Sequence, residues 1–393
     1  MISKKQTLIG LAVLSACGAS MAQSSATLFG VVDLAYESVK TNAGSISGLS
    51  PSGNSASRLG FRGVEDLGGG LAASFWLEAA LNPSSGIGSS GTTSTNQTNN
   101  YAAGGLTFNR RSTVSLLGSF GEVRLGRDTT PSWQNYLNAD PFGAAGVGTI
   151  LPIYTGNAGT NTFVRASNSI GYFLPAQLGG VYGQAMAAFG NQPNNATTNG
   201  VNTSDNGRFA SGRLGYAQGP LDVAVAYSQT SFAALTQSPG SNGLFGTGST
   251  GASQPPAGKF TDTSLAGSYK FGDVKVMGLL AQQKLSDVVT AGNNQTTKTW
   301  SLGLNAPVGP ANLLAALGQA TLGSEKTQKL SLGVVYNLSK RTALYATFAH
   351  VNNSGGASIT AASYSSGSLG AVGGAANANG SSNGYDFGMR FSF

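Results

Sequence analysis

The chain has 393 residues, 58 of them glycine, with 40% hydrophobic and only 9% charged residues and a formal net charge of +7. That is far below the quarter of charged residues usual in a soluble domain, yet beyond the first twenty or so positions no run reaches the ~18 to 20 apolar residues of a membrane-spanning helix. A helical membrane protein is therefore excluded, and arginines that alternate with apolar residues do not form the exposed stripe of a nucleic-acid binder.

Chain order begins with a segment unlike the rest. Lys4 and Lys5 form a basic head, "LIGLAVLSA" is a short apolar core, and "SMA" before Gln23 has the small-x-small pattern of a signal-peptidase site. Residues 1–22 read as a signal peptide and 23–393 as the mature domain, whose net charge falls to +5 with the loss of those two lysines. Cys17, the single cysteine, sits in "LSAC", which also fits lipoprotein processing. On either reading no disulfide forms within the mature chain.

From Ala26 onward, segments of about ten residues alternate in hydrophobicity between turn signals, the pattern of a transmembrane β-barrel. Sixteen are predicted, at 26–39, 56–65, 70–82, 104–117, 120–128, 164–174, 180–190, 207–217, 220–231, 260–270, 273–284, 297–306, 310–321, 327–338, 341–350 and 382–393. In the first, Leu28, Val32, Leu34 and Tyr36 share one face and Thr27, Asp33 and Glu37 the other. In the last, Tyr385, Phe387, Met389, Phe391 and Phe393 fall on one parity, with Asp386, Arg390 and Ser392 on the other.

Connections alternate too. "DLGG", "GS", "PAQLG", "QG", "FG", "PVG" and "SK" are tight turns, while 83–103, 232–259 and 351–381 are long and rich in Gly, Ser, Asn and Thr. Short turns at one rim and long loops at the other suit a membrane barrel. Lipid cannot hydrogen-bond a backbone, so such a sheet must close on itself, and sixteen strands enclose a lumen too wide for side chains to fill. A secreted β-solenoid or adhesin is the water-soluble alternative, but it would show a repeat of fixed length, and none is found.

Several blocks, "SSATLFGVVDLAYE", "SRLGFRGVEDLGGGLAASFWLE", "RRSTVSLLGSFGEVRLGR", "DPFG", "RASNSIGYFLP" and a terminal Phe393, occur in order. Together they resemble the general porins of the Gram-negative outer membrane, and within them the anion-preferring branch. The resemblance is densest over 24–175 and at the last strand. It implies an all-β fold, a sixteen-stranded antiparallel barrel assembled as a homotrimer, in contact with outer-membrane lipid and lipopolysaccharide, passing small anions and hydrophilic solutes. It also implies a third external loop, here 129–163, folded into the channel. Pro141 stands in that loop where the family often has an acid before the Phe142 position, which leaves the loop's charge open.

Parity places the charges. Outward Leu59 and Phe61 send Arg58 and Arg62 inward; Val114 and Leu116 do the same for Arg111, Ile170 and Tyr172 for Arg165, and Val123 and Leu125 for Glu122 and Arg124. The resemblance implies an arginine cluster opposite the third loop, and Arg58, Arg111 and Arg165 match it. Glu78, inward beside outward Phe75 and Leu77, matches a carboxylate that tempers the positive field. Arg62 and Arg124 lie nearer the periplasmic rim, and Asp128 and Asp140 are expected to add negative charge from the loop side. Arg110 is turned outward by parity, so a subunit contact or a local bulge is expected there.

Guanidinium stays charged and meets carboxylate or phosphate with a planar fork, and a narrow passage lined by one sign of charge concentrates counter-ions. The expected function is an anion-preferring diffusion channel. A substrate-specific channel is the runner-up, with Trp133, Tyr136 and Tyr154 of the inserted loop as a track for a sugar or organic acid. An enzyme is not expected: His350 is the only histidine, placed at a strand end, and a serine nucleophile needs an oriented base beside it. Neither a zinc ligand set nor a phosphate loop is found, so no cofactor or metal is expected.

Overall fold

The computed structural model describes residues 25–88, 105–154, 162–198, 201–232, 258–286, 295–363 and 378–393; the expected signal segment, with Cys17, lies outside them. Thr197–Thr198 pairs separately with Val201–Asn202, and most of the rest form one antiparallel sheet that closes into a barrel. Its sixteen wall strands are Ser25–Thr41, Arg58–Gly68, Leu71–Asn82, Arg111–Gly118, Gly121–Thr129, Arg165–Phe173, Val181–Ala188, Phe209–Gln218, Leu221–Phe232, Gly258–Phe271, Val274–Ser286, Gln295–Val308, Ala311–Leu322, Glu325–Asn337, Thr342–Ser354 and Ser381–Ser392. Each expected segment is a strand.

The first strand makes the seam. On one side Ser25–Val31 pairs with Arg58–Val64 and Leu34–Thr41 with a returning hairpin arm, Gly44–Pro51. On the other, Val31–Thr41 pairs with Ser382–Ser392. Gly30 and Phe393 exchange both backbone hydrogen bonds, at 3.0 and 3.1 Å, so the end of the chain is stitched to its beginning.

Burial runs opposite to that of a water-soluble sandwich. Leu28, Val114, Leu125, Val225, Leu302 and Phe387 are exposed on the outer face, while Asp33, Glu37, Ser115, Asp262 and Asp386 are buried on the inner one. A period of two creates both faces at once. At the tight-turn rim Gly219, Gly272 and Gly309 take φ of 58°, 61° and 58°, a left-handed conformation that only glycine adopts freely.

An apolar core lies inside the barrel. Helix α1 (Pro131–Ala139) and a single turn at Leu151–Tyr154 come from the third long connection, and they pack against the inner wall. Trp133, Tyr136, Phe142, Ile150, Ile153, Tyr154 and Phe163 meet wall residues Phe260, Leu279, Leu285 and Tyr345 in one buried cluster. Thr130 caps α1, accepting from the Trp133 amide at 3.4 Å, and Pro131 opens it. The loop thus folds inward as expected.

Two expectations need correction. The strand predicted over 104–117 starts only at Arg111. Before it, the Asn109 side chain accepts the Ala80 amide at 3.0 Å and the Asn109 carbonyl accepts Arg127 Nε at 2.7 Å, taking the places of ladder bonds. The connection 351–381 is not wholly an outer loop either. Its described part near 357–363 tucks inside: Ala357 and Ala361 are fully buried, and the Ser363 amide donates to Glu37 Oε1 at 3.2 Å.

Candidate functional site

Five neighbouring strands present their inward residues to one cavity of about 500 Å³ in the lumen. Arg58 and Arg62 come from Arg58–Gly68, Trp76 and Glu78 from Leu71–Asn82, Arg111 from Arg111–Gly118, Arg124 and Asp128 from Gly121–Thr129, and Arg165 from Arg165–Phe173. Arg110, Phe29, Phe173, Gln184 and, at the root of the inserted loop, Thr129 and Gln134 complete the lining. Six guanidinium groups therefore face two carboxylates.

Sequence parity fails only for Arg110. The chain bends there, one residue before the ladder begins, so its side chain is not committed to the outer face. Arg110 Nε donates to Glu78 Oε1 at 2.5 Å, and its amide donates to the Glu78 carbonyl at 3.1 Å. It belongs to the lumen, as the bulge expectation allowed; the subunit-contact expectation does not hold.

The carboxylates hold arginines without neutralising the set. Glu78 also lies 3.9 Å from Arg58 Nε and accepts Trp76 Nε1 at 3.0 Å. Asp128 takes Arg124 Nη1 at 2.5 Å and lies 3.6 Å from Arg111 Nε; Glu122 accepts Arg124 at 2.8 and 2.9 Å. Asp128 stands on the barrel wall, not on the loop side as expected. Arg165 Nε is buried with no hydrogen-bond partner.

Aromatic rings support the same cations. The Arg111 guanidinium stands 4.6 Å from the Trp76 ring and Arg62 5.1 Å from it; Arg62 also lies 5.4 Å from Phe29, and Arg124 4.0 Å from Phe173. These contacts were absent from the sequence reading, although inward parity of Trp76 beside outward Phe75 and Leu77 already marked a ring facing water.

Glycine lets the wall strand turn. Gly126 has φ of 123°, and a Cβ there would stand 2.1 Å from the Ser112 carbonyl oxygen. The register against Arg165–Phe173 shifts beside it, between Gly126 and Asp128. Arg127 then runs into the wall, where Nη1 donates to Ser167 Oγ at 2.8 Å.

Opposite the arginines, α1 lies on the strands from Phe209 to Ser286. Asn135 Nδ2 donates to the Ala224 carbonyl at 3.2 Å, Arg213 Nε donates to Asn135 Oδ1 at 2.7 Å, and Tyr136 hydrogen-bonds Asp262. Asp140 is not a lining residue. It is 4% exposed and accepts from the Phe142 and Ala144 amides and Thr149 Oγ1, and burial raises its carboxyl above the ordinary value. It fastens the loop turn. Trp133, Tyr136 and Tyr154 are 3%, 0% and 0% exposed, so the expected aromatic track does not face the lumen.

A sixteen-stranded wall with an inserted loop and an arginine-rich lumen is what comparison with known proteins matches. The model of the Gram-negative porin family covers residues 10–356. The chain belongs to that family. This porin is 39% identical to outer membrane porin protein 32 of Delftia acidovorans, over 89% of this chain and 90% of that protein. An outer membrane porin protein of Bordetella pertussis is 31% identical over 89% and 94% of the two chains. Among solved structures, the anion-selective porin from Comamonas acidovorans is 33% identical with a TM-score of 0.74, covering 94% of this chain and all of that one. OmpT of Vibrio cholerae, solved in a trimer form, matches 94% of this porin and 99% of its own chain at a TM-score of 0.65, but at 15% identity the likeness is one of fold. The porin is thus an outer-membrane protein of Gram-negative type.

Proposed function

We propose that this porin is a diffusion channel selecting small anions by its arginine-lined constriction, with Arg58, Arg111 and Arg165 as the principal selecting groups and Glu78 as their moderator. One observation carries the reading: six guanidiniums and two carboxylates converge on one stretch of lumen, opposite an inserted loop. Surplus positive charge between low-dielectric walls favours anions and repels cations. Conduction also requires release, which several weak sites in series provide better than one tight site. The anion selectivity in the name of the Comamonas relative agrees with this reading.

The same proposal takes the porin as a homotrimer set in outer-membrane lipid, with the long loops outside, and as a channel without catalysis. Its single histidine supports the last point: His350 lies on the outward parity of its strand, hydrogen-bonded to Asn383 at 2.8 Å.

The decisive experiment measures the reversal potential of detergent-purified protein in a planar bilayer under a potassium chloride gradient. Wild type is compared with Arg58→Ser, Arg111→Ser and Arg165→Ser. A chloride-preferring potential that relaxes toward zero in the variants is expected. Channels without anion preference, or variants identical to wild type, would overturn the selectivity mechanism.

A further inference from the structure

Pro51 and Arg58 are joined by an excursion that the barrel wall does not need. Leu34 is the ladder partner of Pro51 and Val31 that of Arg58, so two residues of the first strand, Val32 and Asp33, stand opposite the whole stretch from Ser52 to Ser57. The surplus forms a large bulge, a device that bends a strand and re-aims the side chains beside it. It projects into the barrel. The Gly146 amide of the inserted loop donates to the Ser52 carbonyl at 3.0 Å, and a Cβ on Gly53 would stand 2.5 Å from the Tyr345 hydroxyl.

Asp33 holds this bulge. Its Oδ1 accepts the Gly53 amide at 3.1 Å and the Tyr345 hydroxyl, and its Oδ2 accepts the amides of Asn54 and Ser55 at 3.2 and 2.8 Å. Ser57 Oγ accepts the Asp33 amide and donates to the Asp33 carbonyl, each at 3.0 Å, in place of the interrupted ladder. Ser52 takes φ of 68°, a left-handed conformation that persists outside glycine only where the surroundings fix it.

Two arginines are attached to the bulge. Arg58 Nη1 donates to the Ala56 carbonyl at 3.0 Å. From the other flank of the first strand, Arg390 Nη1 donates to Asn54 Oδ1 at 2.8 Å. Arg390 shares the inward parity of Asp386, whose carboxylate accepts the Val147 amide of the inserted loop. It stands opposite Asp33 in the ladder, yet it makes no ion pair among the described residues. The bulge is the reason: Asp33 gives its oxygens to three amides and a phenol, and Arg390 is left with a neutral amide oxygen. Its positive charge therefore stays uncompensated.

That charge belongs with the constriction. Arg58 and Arg390 flank the first strand on opposite sides, offset by two residues, which puts their Cα atoms roughly 12 Å apart by strand geometry. The separation is well inside the Debye length of about 30 Å in 0.01 M salt, and the Arg390 charge is felt at Arg58. In dilute baths both cations add to one field.

We propose that Arg390 is a further selecting cation of the pore, and that Asp33 is the positioning residue that places it and Arg58 through the Ser52–Ser57 bulge. The assignment rests on the anion-channel reading above. Reversal potentials are measured in a planar bilayer under a dilute tenfold potassium chloride gradient for Arg390→Ser, Arg390→Lys, Asp33→Asn and Asn54→Ala, with Arg58→Ser alongside; the heat-dependent gel shift reports folding. A unit charge about 8 Å from the ion path across water changes ion preference roughly twofold, so Arg390→Ser should about halve the chloride-to-potassium permeability ratio and Arg390→Lys should keep it. Asp33→Asn separates placement from charge: losing a carboxylate alone raises the ratio, whereas releasing both arginines lowers it, and the lower ratio is expected. Asn54→Ala changes no charge and should lower the ratio too, which keeps the placement testable if Asp33→Asn fails to fold. A wild-type ratio in Arg390→Ser while Arg58→Ser has lost preference would overturn the proposal and leave the selectivity mechanism standing. If neither moves the ratio, that mechanism fails and the proposal with it. An unchanged or raised ratio in folded Asp33→Asn, or an unchanged one in Asn54→Ala, would overturn the positioning role.

Discussion

At the scale of single residues, the constriction is a problem of keeping guanidiniums extended. An arginine free in a wet lumen samples many rotamers or collapses onto the nearest carboxylate. Trp76 opposes both, with Arg111 4.6 Å and Arg62 5.1 Å from its ring and its indole N–H holding Glu78 at 3.0 Å. At partly exposed sites a cation–π contact contributes about 0.5 to 1 kcal/mol, roughly a two- to fivefold bias toward the stacked orientation. Trp76→Leu should therefore lower the chloride preference, seen as a reversal potential nearer zero, while Trp76→Phe keeps the ring and most of the preference. If the Leu variant keeps the wild-type potential, the stacking has no part in selection. Glu78→Gln should act in the other direction. Removing a unit of negative charge about 8 Å from the ion path in water changes chloride's energy by about 0.5 kcal/mol, or roughly twofold in permeability ratio. A cation-ward shift would contradict the role given to Glu78.

At the scale of elements, the inserted loop sets the free cross-section, and it is held as a soluble protein's core is held. Trp133 stacks with Tyr136 at 5.9 Å and meets Phe163 edge-on at 5.2 Å, all against Phe260. Truncating a buried aromatic side chain costs about 3 to 5 kcal/mol. Trp133→Ala should loosen α1 from the wall without opening the barrel. Single-channel recordings should then show larger and noisier conductance, while the heat-dependent gel shift of a folded barrel persists; an unchanged, quiet conductance would mean the loop is fixed by its polar bonds alone. Period-two alternation made the strands legible in the sequence, because lipid and lumen demand opposite side chains at successive positions. Loops offer no such parity. That is why Asp140, a fastener of the loop turn, read as a pore charge, why buried Trp133 and Tyr154 read as a track, and why the inward fold near Ala357–Ala361 went unseen. Arg110 departs from parity for a related reason: the ladder ends at Arg111, so of the two expectations for Arg110 the local irregularity holds and the subunit contact does not.

At the scale of the whole molecule, the barrel exposes leucine and tyrosine outside and keeps carboxylates and arginines inside, so its charge acts across water enclosed by a low-dielectric wall. Arg58, Arg62, Arg111, Arg124, Arg165 and Glu78 could all be located from sequence because each sits on a strand whose outward neighbours are apolar. Their pairing could not be read, since it depends on the register between strands that brings Glu78 opposite Arg111. The selectivity they produce is a field effect more than a set of contacts, and it must respond to screening. The Debye length falls from about 30 Å at 0.01 M to about 3 Å at 1 M salt. At the lower concentration the surplus of guanidinium spans the lumen; at the higher one its influence ends near the guanidiniums themselves. At a constant tenfold gradient, the chloride preference should therefore be strongest when both baths are dilute and decline steadily as they are concentrated, in wild type and in Glu78→Gln alike. A preference independent of salt would show that anions are chosen by direct coordination on the guanidinium edges, and the single Arg→Ser variants would then identify which edges those are.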